Sequence, residues 1–279
     1  MWLLAAIMTT ICFGTNNAIF KWSTGKGYSK INIQFFFYFS AFLLTLGYGI
    51  ISKLVDFHIM TFFLGALIGV LNTNGNIQMS KAFEKGPASL TSPIISANAI
   101  FPVLSAGLIF HEQISTLQWS GILLMLASAI VIQYTPNHVK NHTNYKSWIY
   151  RIVLAVLSFG VLGVLMKLSS YLHINSLNIL ISMYGGGSVY LFLLNLKGKE
   201  KIQSSEVRLG ALVGIISVAG FSSYFFALKT GIASIVFPVV SLNCLVVVFA
   251  GYFLFKEKLR SYQMVGVLSA LVGIVLTKI

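Results

Sequence analysis

Amide side chains recur at helical spacing inside an apolar stretch of this sequence. Between residues 59 and 80, small and polar residues follow at intervals of three or four: Gly65, Gly69, Asn72, Asn76 and Ser80, with Asn74 and Gln78 widening the set. In an α-helix this spacing places them on one face. Because amides both donate and accept hydrogen bonds, the face could line a path for a polar solute or bind neighbouring helices.

Polar positions in other apolar stretches complete a candidate binding set. Two stripes of small residues contain a proline, which frees a backbone carbonyl and kinks a helix: Ser89, Pro93 and Ser96, then Ser234, Pro238 and Ser241. Discontinuous helices of this kind commonly flank transport sites. We predict that six residues contact a substrate: Asn17, Asn72, Asn76, Asn98, Tyr224 and Asn243. For Asn98 and Asn243, hydrogen bonding between helices is the alternative.

Charged residues lie near the ends of the apolar stretches. Lys21 and Lys167 are each about one turn from a helix end, where a lysine usually extends to the interface; attraction of an anionic solute group is the alternative. The carboxylates fall in loops (Asp56, Glu200 and Glu206) or at helix ends (Glu84, Glu112 and Glu257). We expect Glu112 and Glu257 to cap the fifth and tenth predicted helices or to pair with nearby Lys258 or Arg260, and a coupling role stays open.

The titratable residues exclude the main kinds of intramembrane enzyme. An aspartyl dyad needs two aspartates, and Asp56 is the only one in the chain. The histidines fall in loops or at helix ends, the HExxH zinc motif is absent from the sequence, and His138 with His142 lacks a third ligand. Cys12 and Cys244 provide neither a disulfide framework nor zinc spacing. We therefore expect a protein that is not an enzyme, with no catalytic residue, metal or cofactor.

The composition indicates that lipid surrounds most of this chain. Of its 279 residues 57% are hydrophobic and 9% charged, and the mean hydropathy is +0.85; soluble domains carry roughly 25% charged residues. A membrane helix needs about 20 mainly apolar residues. Ten stretches qualify: 2-22, 31-52, 59-80, 87-110, 116-134, 148-168, 175-196, 207-228, 232-255 and 260-277. The first lacks signal-peptide features, so we expect it to span the membrane.

An internal repeat relates the two halves of the chain. Residues 82-132 align without a gap with residues 227-277, with fourteen identities in 51 positions. Identical pairs include Ser96/Ser241, Asn98/Asn243, Glu112/Glu257, Gln118/Gln263 and Gly121/Gly266. Since each half holds five helices, an odd number, the second half enters the membrane in the opposite sense. The sequence predicts an all-α membrane protein of ten transmembrane helices, built as two inverted five-helix repeats over residues 1-134 and 148-279.

Each half ends in a similar motif. The motifs are Gly86-Pro87-Ala88-Ser89, Pro93 and His111-Glu112-Gln113, then Gly231-Ile232-Ala233-Ser234, Pro238 and Lys256-Glu257-Lys258. On these motifs the chain resembles the drug/metabolite transporter superfamily, in its EamA-type ten-helix branch, although relatives usually carry glycine where this chain has His111 or Lys256. The resemblance implies a secondary transporter that exports or exchanges small organic solutes such as amino acids or metabolites, by alternating access at a central cavity between the two halves. We expect the two halves to rock about this cavity and to expose it alternately. A lipid-translocating or accessory membrane protein is the alternative.

Basic residues lie mainly at one end of the predicted helices. The loops joining helices 1-2, 3-4, 5-6, 7-8 and 9-10, with their flanks, hold fifteen of the 19 Lys and Arg residues. The positive-inside rule makes that side cytoplasmic and places both termini outside, whereas relatives are usually described with both termini inside. The net charge of +13 then favours membrane lipids, not nucleic acid, as partners beside a small-molecule substrate. We expect a multi-pass protein of the cell (inner or plasma) membrane, and the oligomeric state stays open.

Overall fold

Helices make up the secondary structure in a computed structural model of the chain. The structure describes residues 1–56, 58–85, 91, 94–134, 145–198, 202–255 and 260–277, and no strand occurs in them. Several residues singled out above lie outside those ranges: Ser89, Pro93, His138, His142 and Glu257, with the motif residues at 86–88 and 256–258. Helices are the expected outcome, because in lipid each backbone polar group must be satisfied within the protein.

The helices follow the predicted apolar stretches in order. They are α1 (Trp2–Gly25), α2 (Lys30–Ile51), α3 (Ile59–Lys85), α4 (Ile94–Leu108), α5 (Thr116–Gln133), α6 (Tyr145–Tyr171), α7 (Ser176–Gly198), α8 (Ser204–Thr230), α9 (Ala233–Ser241), α10 (Asn243–Phe255) and α11 (Ser261–Leu276). Together, α9 and α10 occupy one apolar stretch, which is interrupted at Leu242.

Seven helical segments are long and apolar enough to cross a membrane within the described ranges. They are α1, α2, α5, α6, α7, α8 and the α9–α10 pair. The long helix α3 is not among them, since four amide side chains in its second half lower its hydropathy. The described parts of α4 and α11 are apolar but shorter. The chain is thus an all-helical membrane protein, and a count of ten membrane-spanning helices stays a prediction.

Matched glutamines cap the start of the last helix in each half. The side-chain oxygen of Gln118 accepts from the N–H of Ser115 at 3.1 Å, and the Ser115 hydroxyl accepts from the N–H of Gln118 at 3.2 Å. This capping box satisfies two donors at the start of α5. At the start of α11, Gln263 accepts from the N–H of Arg260 at 3.1 Å. The Gln118/Gln263 identity in the repeat therefore reflects equivalent helix starts.

Helices of the two sequence halves pack mainly against each other. The most extensive contacts join α3 to α6 and α7, α2 to α7 and α8, and α1 to α8. In addition, α1 packs on α9 and α10, and α4 packs on α6 and α9. These helices form a closed arrangement that we call the helix ring, and the α5–α11 pair packs outside it. Residues 1-134 and 148-279 are therefore interleaved in the fold.

A glycine brings α3 to backbone contact with α7. A Cβ atom placed on Gly65 would lie 2.5 Å from the Cβ of Ser182 and 2.8 Å from the carbonyl oxygen of Ile179. One turn later, a Cβ on Gly69 would overlap the carbonyl oxygen of Met183. Small residues matter here because lipid tails are as apolar as core side chains, so helices associate in membranes through close packing and hydrogen bonds.

The same contact recurs between α8 and α2. A Cβ atom on Gly210 would lie 2.5 Å from the Cβ of Phe36 and 2.8 Å from the carbonyl oxygen of Ile33. These residues follow or precede the α3–α7 contact residues by 145 or 146 positions, which is the offset of the sequence repeat. The two halves thus repeat each other in contacts as well as in sequence.

A carboxylate is buried where the first turns of α2 and α8 meet. Glu206 is 1% exposed and accepts from the N–H of Ser29 at 2.7 Å, from Nδ2 of Asn32 at 2.9 Å and from the N–H of Gln203 at 3.0 Å. Its predicted loop position is wrong, because Glu206 lies in the first turn of α8, where helix N–H groups favour an anion. We call this end of the bundle, where α1 and α3 finish, the basic side, and the opposite end the terminal side.

Substituting either contact glycine should destabilise the fold. For Gly65→Ala or Gly210→Ala we expect a loss of about 1–3 kcal/mol, because the added methyl meets backbone oxygen that cannot rotate away. Thermal unfolding of the purified protein in detergent measures the effect. Gly47→Ala in α2 is the matched control, since a Cβ there meets nothing within 4 Å. Equal melting temperatures for all three variants would contradict the close approach.

Candidate functional site

A cavity of about 280 Å³ lies inside the helix ring. Its wall combines amide side chains with aromatic rings, and α1, α3, α4, α6, α8 and the α9–α10 pair all contribute, with single residues from α2 and α5. The six residues predicted to contact a substrate all line this cavity: Asn17, Asn72, Asn76, Asn98, Tyr224 and Asn243. Their contact with a substrate stays a prediction.

Two equivalent helices lose regular geometry where they reach the cavity. One 3₁₀ turn interrupts α4, and the α9–α10 segment breaks at Leu242. Beside these irregular turns, Nδ2 of Asn98 donates to the carbonyl oxygen of Ile95 at 2.6 Å, and Nδ2 of Asn243 donates to that of Val240 at 2.9 Å. Irregular backbone is tolerated at membrane depth where it lines a cavity. Both asparagines therefore support the break while facing the cavity.

Amides of neighbouring residues also bind each other at the cavity wall. Nδ2 of Asn17 donates to Oδ1 of Asn243 at 3.1 Å and so links α1 with α10. On α3, Nδ2 of Asn76 donates to the carbonyl oxygen of Asn72 at 3.0 Å. Asn243 thus hydrogen-bonds another helix and also lines the cavity, and its contact with a substrate stays a prediction.

The other two amides of α3 bind α6. Arg151 donates from Nη1 to Oε1 of Gln78 at 2.7 Å, and Nε2 of Gln78 donates to Oδ1 of Asn74 at 3.0 Å. Nδ2 of Asn74 in turn donates to the hydroxyl of Ser158 at 2.9 Å. The broad polar face predicted for α3 therefore divides into a part that lines the cavity and a part that joins two helices.

Aromatic rings bound the cavity toward the terminal side. The ring centroid of Phe13 lies 4.6 Å from that of Phe221 and 5.9 Å from that of Tyr224, and Tyr224 lies 5.9 Å from Phe237. We call these four rings the aromatic cluster. Tyr224 and Phe237 are buried, whereas Asn17, nearer the basic side, is exposed. The buried Tyr224 and Phe237 therefore form the part of the cavity wall nearer the terminal side, and the exposed Asn17 lies on the part nearer the basic side.

An ion pair lies beyond the aromatic cluster on the terminal side. Nζ of Lys167 is 2.7 Å from Oε1 of Glu112, and both side chains are nearly buried. The same carboxylate accepts from the N–H of Ala233 at 3.0 Å and from the N–H and hydroxyl of Ser234 at 2.9 and 2.7 Å. Glu112 thus caps α9 and pairs with Lys167 of α6. The prediction that it caps the fifth helix or pairs with Lys258 or Arg260 is wrong, because its side chain reaches helices of the other half of the chain. The prediction that Lys167 extends to the interface is wrong, because a carboxylate from another helix end reaches it.

The backbone next to Glu112 has a conformation that favours glycine, although this chain carries a histidine there. His111 has φ 52°, in the left-handed region that favours glycine. Burial raises the pKa of Glu112, but hydrogen bonds from Lys167, Ser234 and Ala233 outweigh that effect and hold the pKa below its ordinary value of 4.5. The carboxylate is therefore ionised at neutral pH and suited to hold α9.

The cavity includes residues that sequence reasoning missed. Asn16 lines the cavity, is 7% exposed, and its Oδ1 is buried without a hydrogen-bond partner in the described part of the protein. Phe13, Phe20 and Asn17 line the cavity too, so helical spacing around Asn17 could have identified Asn16. The aromatic lining carries no comparable signal, because phenylalanine is common throughout this chain.

A second concavity of about 920 Å³ lies between α2, α3 and α7. Apolar side chains line most of it, and several of them are exposed on the outer surface of the bundle, such as Phe39, Phe62 and Phe192. A binding site for a polar solute needs convergent polar groups. Amide side chains from several helices converge on the central cavity, whereas the wall of this outer groove is mainly apolar, so the central cavity is the candidate site.

The chain is similar to known proteins in both sequence profile and fold. The sequence profile of the EamA-like transporter family matches residues 1–134 and again residues 146–279. One solved crystal structure shares the fold with a TM-score of 0.82 over 98% of this chain and 94% of that one, at 12% sequence identity. No curated protein sequence matches.

The two profile matches together cover nearly the whole chain. This is a membrane transporter of the drug/metabolite type, with a cavity enclosed by membrane helices. The chain belongs to the EamA-like transporter family. The resemblance seen in the half-terminal motifs is therefore confirmed, and the substrate is a separate question.

Exchanging the charges of the ion pair should not restore it. Glu112→Gln or Lys167→Met should each cost about 2–3 kcal/mol, near the lower end for breaking a buried pair. The double variant Glu112→Lys/Lys167→Glu should remain destabilised, because a lysine at 112 cannot accept from Ala233 and Ser234. Thermal unfolding measures this, with Asp56→Asn in the exposed Asp56–His58 pair as control. Full recovery in the exchanged variant would show that the cap on α9 contributes nothing.

Acid should remove the stabilisation that Glu112 provides. Because its pKa in the folded state is lowered, the contribution is complete above about pH 4.5 and disappears as the pH falls through the folded-state value. Melting temperatures of the wild type and Glu112→Gln should therefore differ at pH 7 and converge at more acid pH. A constant difference from pH 7 down to pH 3 would contradict this assignment.

Proposed function

We propose that the protein is a secondary transporter that exports or exchanges small organic solutes, such as amino acids or metabolites, by alternating access to the central cavity. The observation that carries this proposal is the convergence of six separately predicted polar residues, from five helices, on one cavity at membrane depth. Polar side chains are expensive in hydrocarbon and are placed where they face a partner or a wet cavity.

We also propose ten membrane-spanning helices arranged as two inverted repeats. The matched contacts of Gly65 and Gly210, and the matched hydrogen bonds of Asn98 and Asn243, support this arrangement. A relation by a two-fold axis in the membrane plane is the usual basis of alternating access, since each repeat adopts in turn the conformation of the other.

The moving bodies in this proposal contain helices from both halves. The packing is most extensive within two groups that the repeat relates, α1 with α2 and α8, and α6 with α7 and α3. Rotation of these groups against α4 and the α9–α10 pair changes access while the tight glycine contacts are kept. The interleaved fold replaces the simpler picture in which residues 1-134 and 148-279 rock as separate units.

The terminal side is the closed side in this conformation. The aromatic cluster and the Glu112–Lys167 ion pair both lie there, and together they separate the cavity from that side. Opening requires that Glu112 release the first turn of α9 or move with it. The Glu112 carboxylate therefore connects the closed terminal side to α9, the helix that ends at the break beside the cavity.

Location and partners follow the charge distribution in this proposal. The basic side faces the cytoplasm of the cell, and its lysines and arginines bind anionic lipid headgroups at the cell membrane. A cytoplasmic opening of the cavity would then receive solute for export. Both termini lie on the outer side in this arrangement.

Removal of two cavity amides should abolish transport and spare the fold. For Asn72→Leu/Asn76→Leu we expect at least a tenfold loss of solute exchange in liposomes, with the melting temperature kept within a few degrees. Asn74→Leu is the matched control on the same helix. It breaks the hydrogen bond with Ser158 and should lower the melting temperature. Undiminished transport by the double variant would refute the cavity assignment.

Lipid translocation is a second candidate because of one observation. The apolar groove between α2, α3 and α7 opens on the outer surface and is large enough for lipid chains to enter. A fluorescent-lipid scrambling assay on the same liposomes tests this function. Lipid movement without solute exchange would favour the second candidate over the first.

A further inference from the structure

We propose that Tyr38 and Tyr184 are positioning residues that exchange hydrogen bonds with the cavity wall when access changes from one side to the other. Tyr184 binds Ser217 in the present conformation, and Tyr38 binds Asn72 in the opposite one. The inference rests on the proposed transport function and specifies two hydrogen bonds that form and break during it.

The two tyrosines are equivalent residues of the repeat, and so are the polar residues beside them. Tyr184 follows Tyr38 by 146 positions, and Ser217 follows Asn72 by 145. Both tyrosines are fully buried, whereas Asn72 and Ser217 line the cavity. The two tyrosine rings are in edge-to-face contact, with their centroids 5.7 Å apart. Equivalent residues touch each other only near the axis that relates the two halves, so this pair lies at the centre of the proposed motion.

The tyrosine of the second half is hydrogen-bonded to the cavity wall. The hydroxyl of Tyr184 donates to the hydroxyl of Ser217 at 3.2 Å, and both residues are buried. This hydrogen bond joins α7 to α8 at the level where α8 reaches the cavity. It stabilises the present conformation, because its loss would leave a phenol hydroxyl buried without a partner.

The equivalent tyrosine of the first half lacks such a bond. The Tyr38 hydroxyl is buried without a hydrogen-bond partner in the described part of the protein, and the Asn72 side chain interacts with it only at longer range. Gly187 contacts both the Tyr38 ring and Gly69, which lies one turn before Asn72 on α3. A conformation that brings the hydroxyl onto the Asn72 amide recovers the free energy lost by its burial.

The inverted repeat relates these two arrangements to the two directions of access. When access changes, each repeat takes the conformation of the other. Tyr38 then gains the kind of bond that Tyr184 has now, and Tyr184 loses it. Because each state contains one such bond, the exchange keeps the two states close in free energy. Both bonds are made to residues that line the cavity, where a solute can contact them.

Distances between spin labels measure the ratio of the two states. The full chain is reconstituted in liposomes with its two buried cysteines replaced by alanine. One label pair, Leu4→Cys with Leu172→Cys, spans the terminal side of the bundle. The other pair, Lys26→Cys with Tyr150→Cys, spans the basic side. All four positions are exposed, and the two pairs are equivalent in the repeat, so their distances are directly comparable.

Loss of either hydroxyl should shift this ratio, in opposite directions. Tyr184→Phe should raise the share of molecules open on the terminal side at least twofold, and Tyr38→Phe should lower it at least twofold. Tyr190→Phe, on α7 outside the central cavity, is the matched control and should leave the ratio unchanged. Phenylalanine keeps the packing of each ring. Unchanged ratios, or shifts of both variants in one direction, would therefore overturn the inference.

The partner residue gives an independent test of positioning. Ser217→Ala should shift the ratio in the same direction as Tyr184→Phe, and the two changes combined should shift it no further, because both remove one hydrogen bond. Additive shifts would contradict the assigned bond. They would show that Tyr184 acts on the ratio by a route that does not involve Ser217.

Solute exchange by the wild type in the same liposomes tests the proposed function separately. Exchange of an amino acid or metabolite, with label distances that the tyrosine variants do not shift, would overturn only the roles of the two tyrosines. An absence of exchange across a panel of such solutes would overturn the transport function and this inference with it. Exchange together with opposite shifts supports both.

Discussion

Close approach of backbones is the constraint on which the rest of this structure depends. Apolar side chains gain little by leaving lipid for protein, so the helices must be held by packing at short range and by hydrogen bonds. Gly65 and Gly69 bring α3 onto α7, and Gly210 and Gly214 bring α8 onto α2. These contacts set the rotation of each helix about its own axis. For α3, that rotation directs Asn72 and Asn76 into the cavity and Asn74 toward α6.

Local patterns in the sequence predict much of this arrangement. Hydropathy places the helices to within a few residues, and the repeat identifies equivalent positions such as Asn98 and Asn243, which make equivalent hydrogen bonds. Polar positions within the apolar stretches also include six residues that line one cavity. These successes share a cause. In lipid a polar residue must face the protein interior, so polarity within an apolar stretch already indicates direction.

Pairings between distant helix ends could not be predicted in this way. Glu112 and Lys167 are separated by 55 positions, and their contact depends on the interleaving of the two halves. Glu206 reads as a loop residue, and its burial depends on α2 and α8 starting at the same level. Asn16 is not predicted because the helical spacing of Gly14, Asn17 and Lys21 indicates a polar face that contains only the second of the two adjacent amides. Each of these features depends on the tertiary packing of the helices, which local sequence patterns do not contain.

The position of Glu112 at the start of α9 links two equilibria. The same short helix carries the carboxylate's hydrogen bonds at one end and the cavity-side break at the other. If protonation of Glu112 changes the affinity of the cavity for its solute through α9, then thermodynamic reciprocity requires that solute binding change the proton affinity of Glu112 by the same factor. A transporter with no carboxylate, histidine, lysine or arginine among its described cavity residues can thus still respond to acidity, through heterotropic linkage between a remote carboxylate and the solute.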